Sequence, residues 1–150
     1  MKRLLFLLAF TGSGFVGICQ VMNPVHWSYT AKKINPTTYE IHLLAIIDGQ
    51  WHIYSQTTPE GGPVPTSITF TRNPLVTSQG VTKEIGKLEQ HHEPLFGVDV
   101  KQFAGKVEFV QTVKLKSPVK TNVAGTVEFM VCNDKQCLPP STQKFSVALK

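Results

Sequence analysis

Short runs of alternating apolar and polar residues dominate the chain. Val25 to Lys33 (VHWSYTAKK) alternates and predicts a first strand, closed by the turn residues Asn35-Pro36-Thr37. Tyr39 to Ile47 (YEIHLLAII) starts by alternating and becomes continuously apolar, the pattern of a strand covered on both faces. Asp48-Gly49 is a hairpin signal, with Gln50 to Ser55 as the return strand. The next loop carries Pro59, Gly61, Gly62, Pro63 and Pro65, too broken for regular structure. Ser67 to Arg72 (SITFTR) alternates with Ile68 and Phe70 on one face.

Between Asn73 and Gly105 the pattern weakens, leaving Val81 to Ile85 and Val98 to Phe103 as short strand candidates around a histidine- and proline-containing loop. Lys106 to Lys116 alternates again, with Val107, Phe109, Gln111, Val113 and Leu115 sharing one parity. Pro118 to Ala124 reads as a turn into two further strands, Thr126 to Val131 and Thr142 to Leu149. No stretch sustains helical periodicity. Many short strands at this spacing predict an all-β antiparallel sandwich.

Length changes the picture only by limiting it to one domain: 150 residues suffice for one real core. The N-terminus adds more. Lys2 and Arg3 precede the apolar run Leu4 to Phe10, followed by Gly12, Ser13, Gly14 and Gly17, which predicts an export signal over residues 1–19 and a single mature domain over 20–150. The apolar run is too short to span a bilayer, and no later segment is suited to crossing one. Cleavage after Cys19 fits the small-residue rule; acylation of Cys19 fits less well because bulky Ile18 precedes it. Without the signal, thirteen basic residues face ten acidic ones, a net +3. No basic run is interleaved with aromatics, so nucleic acid is not an expected partner.

Two of the three cysteines then remain, an even number that suits one bridge in an oxidising compartment. They sit in Val131-Cys132-Asn133-Asp134-Lys135-Gln136-Cys137-Leu138-Pro139-Pro140. Cys132 ends one predicted strand, Asn133 to Gln136 form a turn, and Cys137 starts the return. Facing positions of such a hairpin can meet the about 4.4–6.8 Å Cα spacing that a disulfide needs. A bridge over so short a loop adds only about 2 kcal/mol by loop entropy. A structural staple and a redox-active pair are both compatible with this spacing.

Other chemistry finds little support. Five histidines invite a metal, but His91-His92-Glu93 are consecutive and alternate in direction on an extended chain, while His26, His42 and His52 lie on predicted strands. No metal site and no cofactor is expected. No G-x-S-x-G elbow and no glycine-rich loop leading into a helix is present. Glu93-Pro94-Leu95-Phe96-Gly97 is unusual in placing two bulky apolar residues in a polar loop, either as a plug for the sandwich end or as a movable flap.

Three of these stretches, in order, resemble the N-terminal periplasmic domain of the DsbD thiol:disulfide interchange proteins. Asp48-Gly49 with Trp51-His52-Ile53-Tyr54 resembles that family's aromatic-rich strand, His91 to Gly97 its cap loop, and Cys132 to Pro140 its active-site hairpin. The resemblance spans roughly Val25 to Leu149. It implies an immunoglobulin-like antiparallel β-sandwich in the periplasm that uses no cofactor. Such a domain takes electrons from a membrane-embedded thiol/disulfide transporter and passes them to periplasmic thioredoxin-like proteins.

The resemblance makes Cys132 and Cys137 the redox pair, Leu95 the cap residue backed by Phe96, and Tyr54 and His52 lining residues, His52 standing where the family has a second aromatic. Glu93 stays as the single acid of the cap, Pro94 replacing the other, and the cysteines enclose four residues rather than five. Lys135 in the turn favours a thiolate and Asp134 opposes it. The competing expectations are a non-enzymatic exported binding module whose bridge pins a hairpin, and a metal carrier using the thiols with a histidine.

Overall fold

The structure is a computed structural model that describes residues 22–150, so the export signal and Cys19 lie outside the described residues. Eleven strands follow one another: β1 (Val25–Asn35), β2 (Thr38–Ile47), β3 (His52–Tyr54), β4 (Ser67–Phe70), β5 (Val76–Gly86), β6 (Glu89–Glu93), β7 (Val98–Ala104), β8 (Lys106–Leu115), β9 (Thr121–Phe129), β10 (Val131–Cys132) and β11 (Ser141–Leu149). They form three antiparallel sheets in the orders β1-β2-β8-β5, β11-β9-β4 and β10-β3-β7-β6.

Alternation decides what the first two sheets bury. In β8, Val107, Phe109, Gln111, Val113 and Leu115 are all buried, as their shared parity predicts. The four apolar ones meet Tyr39, Ile41, Leu43, Ala45 and Ile47 of β2 and Val123, Val127, Phe129, Phe145, Val147 and Leu149 of β9 and β11 in one apolar cluster. Phe109 lies 5.9 Å from the Trp27 ring and 6.5 Å, edge-on, from Phe103. Burying each such side chain contributes about 1.5–3 kcal/mol. Gln111, the polar member of the row, accepts from the Thr82 hydroxyl and donates to the Gln79 carbonyl, both on β5.

Strand β2 departs from the expected two-sided burial. Its inward residues alternate with Leu44, half-buried, and Ile46, exposed, because its outer face carries no second layer. The Asp48-Gly49 turn also differs from expectation. It closes with Trp51 N–H donating to the Asp48 carbonyl at 3.1 Å, and Gly49 takes a positive φ of 53°. Yet β3 does not return along β2, whose two edges are already paired with β1 and β8. The chain instead turns away into the third sheet.

That third sheet is built from continuations of the others. Beyond a left-handed Gly105 (φ 69°), β7 runs on into β8, and β5 leads through Gly86 into β6, so one long bent hairpin serves two sheets. In the same way β9 continues past Met130 into β10. The weakly patterned region 73–105 therefore holds three strands. Its histidine stretch is strand β6, and the Pro94–Gly97 segment is the hairpin tip, with the amides of Phe96 and Gly97 donating to the Glu93 carbonyl. The proline- and glycine-rich loop is irregular as expected and is pinned by Thr58, whose hydroxyl donates to the Lys101 carbonyl at 2.6 Å.

Candidate functional site

The hairpin geometry brings the two cysteines together. Leu138 N–H donates to the Val131 carbonyl and Asn133 N–H to the Gln136 carbonyl, each at 2.9 Å. Cys132 and Cys137 face each other between those bonds, at a non-hydrogen-bonded position where strands approach most closely. They form a disulfide with Cα atoms 4.0 Å apart, nearer than the spacing expected from sequence because of this position in the ladder. The turn has its own lock: the Asn133 side-chain oxygen accepts from the amides of Lys135 and Gln136 at 2.9 Å.

Strand β3 supplies the wall. Its register places His52 directly opposite Cys132 and Ile53 opposite Val131. Alternation then sends Ile53 into the main core and His52 and Tyr54 toward the disulfide. Cys132 is fully buried with Tyr54 and Val100, and Val98, Met130 and the half-buried Cys137 pack on them. The two sulfurs are thus unequal in access.

A buried polar chain runs beside the bridge. The Tyr54 hydroxyl donates to Glu93 Oε2 at 2.8 Å, and His52 Nε2 lies 3.1 Å from the Tyr54 oxygen and 3.4 Å from the Glu93 carboxylate. Since the one phenolic proton goes to Glu93, the His52 Nε2–H is the donor to Tyr54. All three side chains are buried, Glu93 to 2% exposure. Burial pushes the His52 imidazole below its ordinary pKa, opposed by the charge and hydrogen bond of Glu93 and by Asp134. Burial first, then the hydrogen bond and charge of Glu93, pushes the Tyr54 phenol far above the usual range, so it stays a donor.

Of the residues singled out in the sequence, Cys132, Cys137, His52, Tyr54 and Glu93 converge. Leu95 and Phe96 sit on the β6–β7 hairpin tip with 50% and 37% exposure. The apolar packing around the buried sulfur comes from Val98, Val100 and Met130, which sequence reasoning did not single out. Met130 and Val98 carry no chemical signature; their proximity follows from strand register and was legible only as nearness to Cys132 and to the cap. His91 and His92 are exposed, and His92 pairs with Asp99 at 2.9 Å. Among the described residues no three His, Cys, Asp or Glu side chains are grouped as metal ligands. Nor, among the described residues, is any helix long and apolar enough to cross a membrane.

A family profile described as "Thiol:disulfide interchange protein DsbD, N-terminal" matches residues 23–149. No curated protein matches the chain. Among solved structures, the reduced DsbD N-terminal domain of Neisseria meningitidis aligns with a TM-score of 0.51 and 12% identity, covering 75% of this chain and 85% of that one. The N-terminal periplasmic domain of ScsB from Proteus mirabilis aligns with a TM-score of 0.47 and 20% identity, covering 83% of this chain and 44% of that one. The Neisseria likeness supports the fold, an immunoglobulin-like antiparallel sandwich.

Proposed function

From the premise that the chain belongs to the family of DsbD N-terminal domains, we propose that it relays electrons by thiol:disulfide interchange through Cys132 and Cys137. The observation that carries this reading is the unequal access of the two sulfurs at the tip of a hairpin: Cys132 is fully buried, Cys137 half-buried.

In the reduced state the Cys137 thiolate attacks one sulfur of a partner disulfide. The partner's S–S bond breaks and its other sulfur leaves as a thiolate, giving a mixed disulfide on Cys137. The Cys132 thiolate then attacks Cys137 Sγ, releases the partner's second thiolate and closes the Cys132–Cys137 bridge. Two electrons pass to the partner, whose thiolates take up the protons that the two cysteines gave up as thiols. A dithiol donor embedded in the membrane reverses the sequence and restores both thiols. The recipients are periplasmic thioredoxin-like proteins, and the export signal over residues 1–19 delivers the domain (20–150) to that compartment.

Leu95 and Phe96 at the hairpin tip act as a cap, with Tyr54, His52 and Glu93 lining its underside. Access to Cys137 is the device of selectivity. The test is a trap. Cys132→Ala removes the resolving sulfur, so incubation with an oxidised thioredoxin-like protein should accumulate a mixed disulfide on Cys137. Cys137→Ala should accumulate little. Equal trapping by both variants, or none by either, overturns the assignment.

A further inference from the structure

We infer that the end of the sandwich opposite the cysteines docks on an anionic phospholipid bilayer, with three apolar residues seated in the bilayer interface. Three connections meet at that end: β1–β2, β4–β5 and β8–β9. Hydrogen bonds fasten them to one another. Leu115 N–H donates to the Thr37 carbonyl at 2.7 Å, Lys116 N–H to the Leu75 carbonyl at 3.0 Å, and the Asn73 side-chain amide to the Asn122 carbonyl at 2.8 Å. At or beside each connection stands one exposed apolar residue: Ile34 at 50%, Leu75 at 40% and Val119 at 42%. Exposed cations accompany every one of them. Lys33 adjoins Ile34, Arg72 lies three residues before Leu75, Lys116 and Lys120 bracket Val119, and Lys114 stands near the end of β8.

The charge at this end has one sign. No Asp or Glu occurs in segments 33–39, 71–78 or 113–122. Among the described residues, Lys33, Arg72, Lys114, Lys116 and Lys120 form no ion pair. Near an anionic lipid surface each such cation adds about fivefold to affinity. A cleft of about 330 Å³ between the connections has Arg72 and Lys116 in its wall, with Val113 and Val123 behind them, and suits a phosphate headgroup. The apolar residues favour a bilayer over an acidic protein. A protein interface gathers its apolar residues into one core rich in aromatics. Here single aliphatic side chains stand among cations on separate connections, and interfacial binding grows with exactly that sum of buried apolar area and attraction to anionic lipid. Strand β9 starts at this end and leads toward the cysteine strand, its nine residues spanning about 30 Å. The docked domain therefore points its disulfide hairpin away from the bilayer.

The experiment sediments residues 20–150, which hold every strand of the fold, with vesicles of phosphatidylcholine alone or mixed with phosphatidylglycerol. The domain should bind the mixed vesicles and not the neutral ones. That binding should vanish at about 1 M salt, where the screening length falls to about 3 Å. Arg72→Gln with Lys116→Gln should weaken it by at least about tenfold. Lys83→Gln with Lys87→Gln, the same loss of charge away from this end, should bind nearly as the wild type does. Leu75→Ser with Val119→Ser leaves the charge unchanged and should weaken binding severalfold. Equal binding to both vesicle types, binding to neither, or wild-type binding by the cation pair or the apolar pair overturns the inference. So does a loss in the Lys83 and Lys87 pair as large as in the Arg72 and Lys116 pair. Capture by polyglutamate without binding to the mixed vesicles overturns it too, and assigns this end to an acidic protein. All six substituted side chains are exposed, and thermal unfolding of each variant separates lost binding from lost folding. Vesicle binding does not involve the cysteines, so its outcome is separate from that of the relay.

Discussion

The molecule holds two buried clusters of opposite character. The larger joins the sheets through Val, Ile, Leu and Phe side chains and has its aromatic rings in contact: Trp27 on Phe109 and Phe129, Tyr29 on Phe145, Phe145 on Phe70. The smaller consists of Tyr54, Val100 and Cys132, and beside it lie the buried polar groups of His52 and Glu93. The first cluster gains from every contact and needs no particular partner. The second buries a carboxylate, an imidazole and a phenol that are tolerable only while they hydrogen-bond one another. Stability resides mainly in the first, and the proposed exchange chemistry belongs to the second. Substitutions should separate the two.

The largest loss of stability belongs to the apolar cluster. Phe109→Ala should cost about 3–5 kcal/mol in urea unfolding and leave the potential of the bridge unchanged. A shifted potential would show that core and site are not separable. Next comes Tyr54→Phe, which leaves the Glu93 carboxylate buried without its hydroxyl donor and should cost about 1–3 kcal/mol. Here faster reduction of the bridge should accompany the destabilisation, an outcome that a purely structural hydrogen bond does not predict.

Smaller still is removal of the bridge itself. With both cysteines changed to alanine, the loss by loop entropy is no more than about 2 kcal/mol, while all exchange disappears. A loss well above that would mark the bridge as a staple. The smallest effect is expected at Asn133, whose side chain locks the turn. Asn133→Ala should cost about 1 kcal/mol. If that loss falls on the oxidised state, loosening the juxtaposition of the sulfurs, the potential rises by about 20 mV for this two-electron couple.

The sequence made the first cluster legible and the second only in outline. Period-2 alternation in β8 named buried residues of the core, because that strand has one face on apolar neighbours. The same rule misread β2, whose outward Leu44 and Ile46 mimic a strand covered on both faces, and the Asp48-Gly49 signal described the turn but not its partner strand. Pairing is a tertiary choice, and β3 is only three residues long. In region 73–105 the candidates Val81 to Ile85 and Val98 to Phe103 fall within β5 and β7, whereas β6 was missed because it is an edge strand of mostly exposed polar residues. At the site, the cysteines and the resemblance in three stretches drew attention to His52, Tyr54, Glu93, Leu95 and Phe96. That Glu93 points inward to Tyr54 while its neighbour His92 points outward to Asp99 follows from the β6–β7 register, which no local pattern encodes.

The most direct test of the relay is the reduction potential of the Cys132–Cys137 pair, obtained by equilibration in graded thiol/disulfide buffers. An exchange pair should fall near those of known exchange proteins, about −180 to −270 mV. A value below about −300 mV would make the bridge a structural staple and contradict the relay.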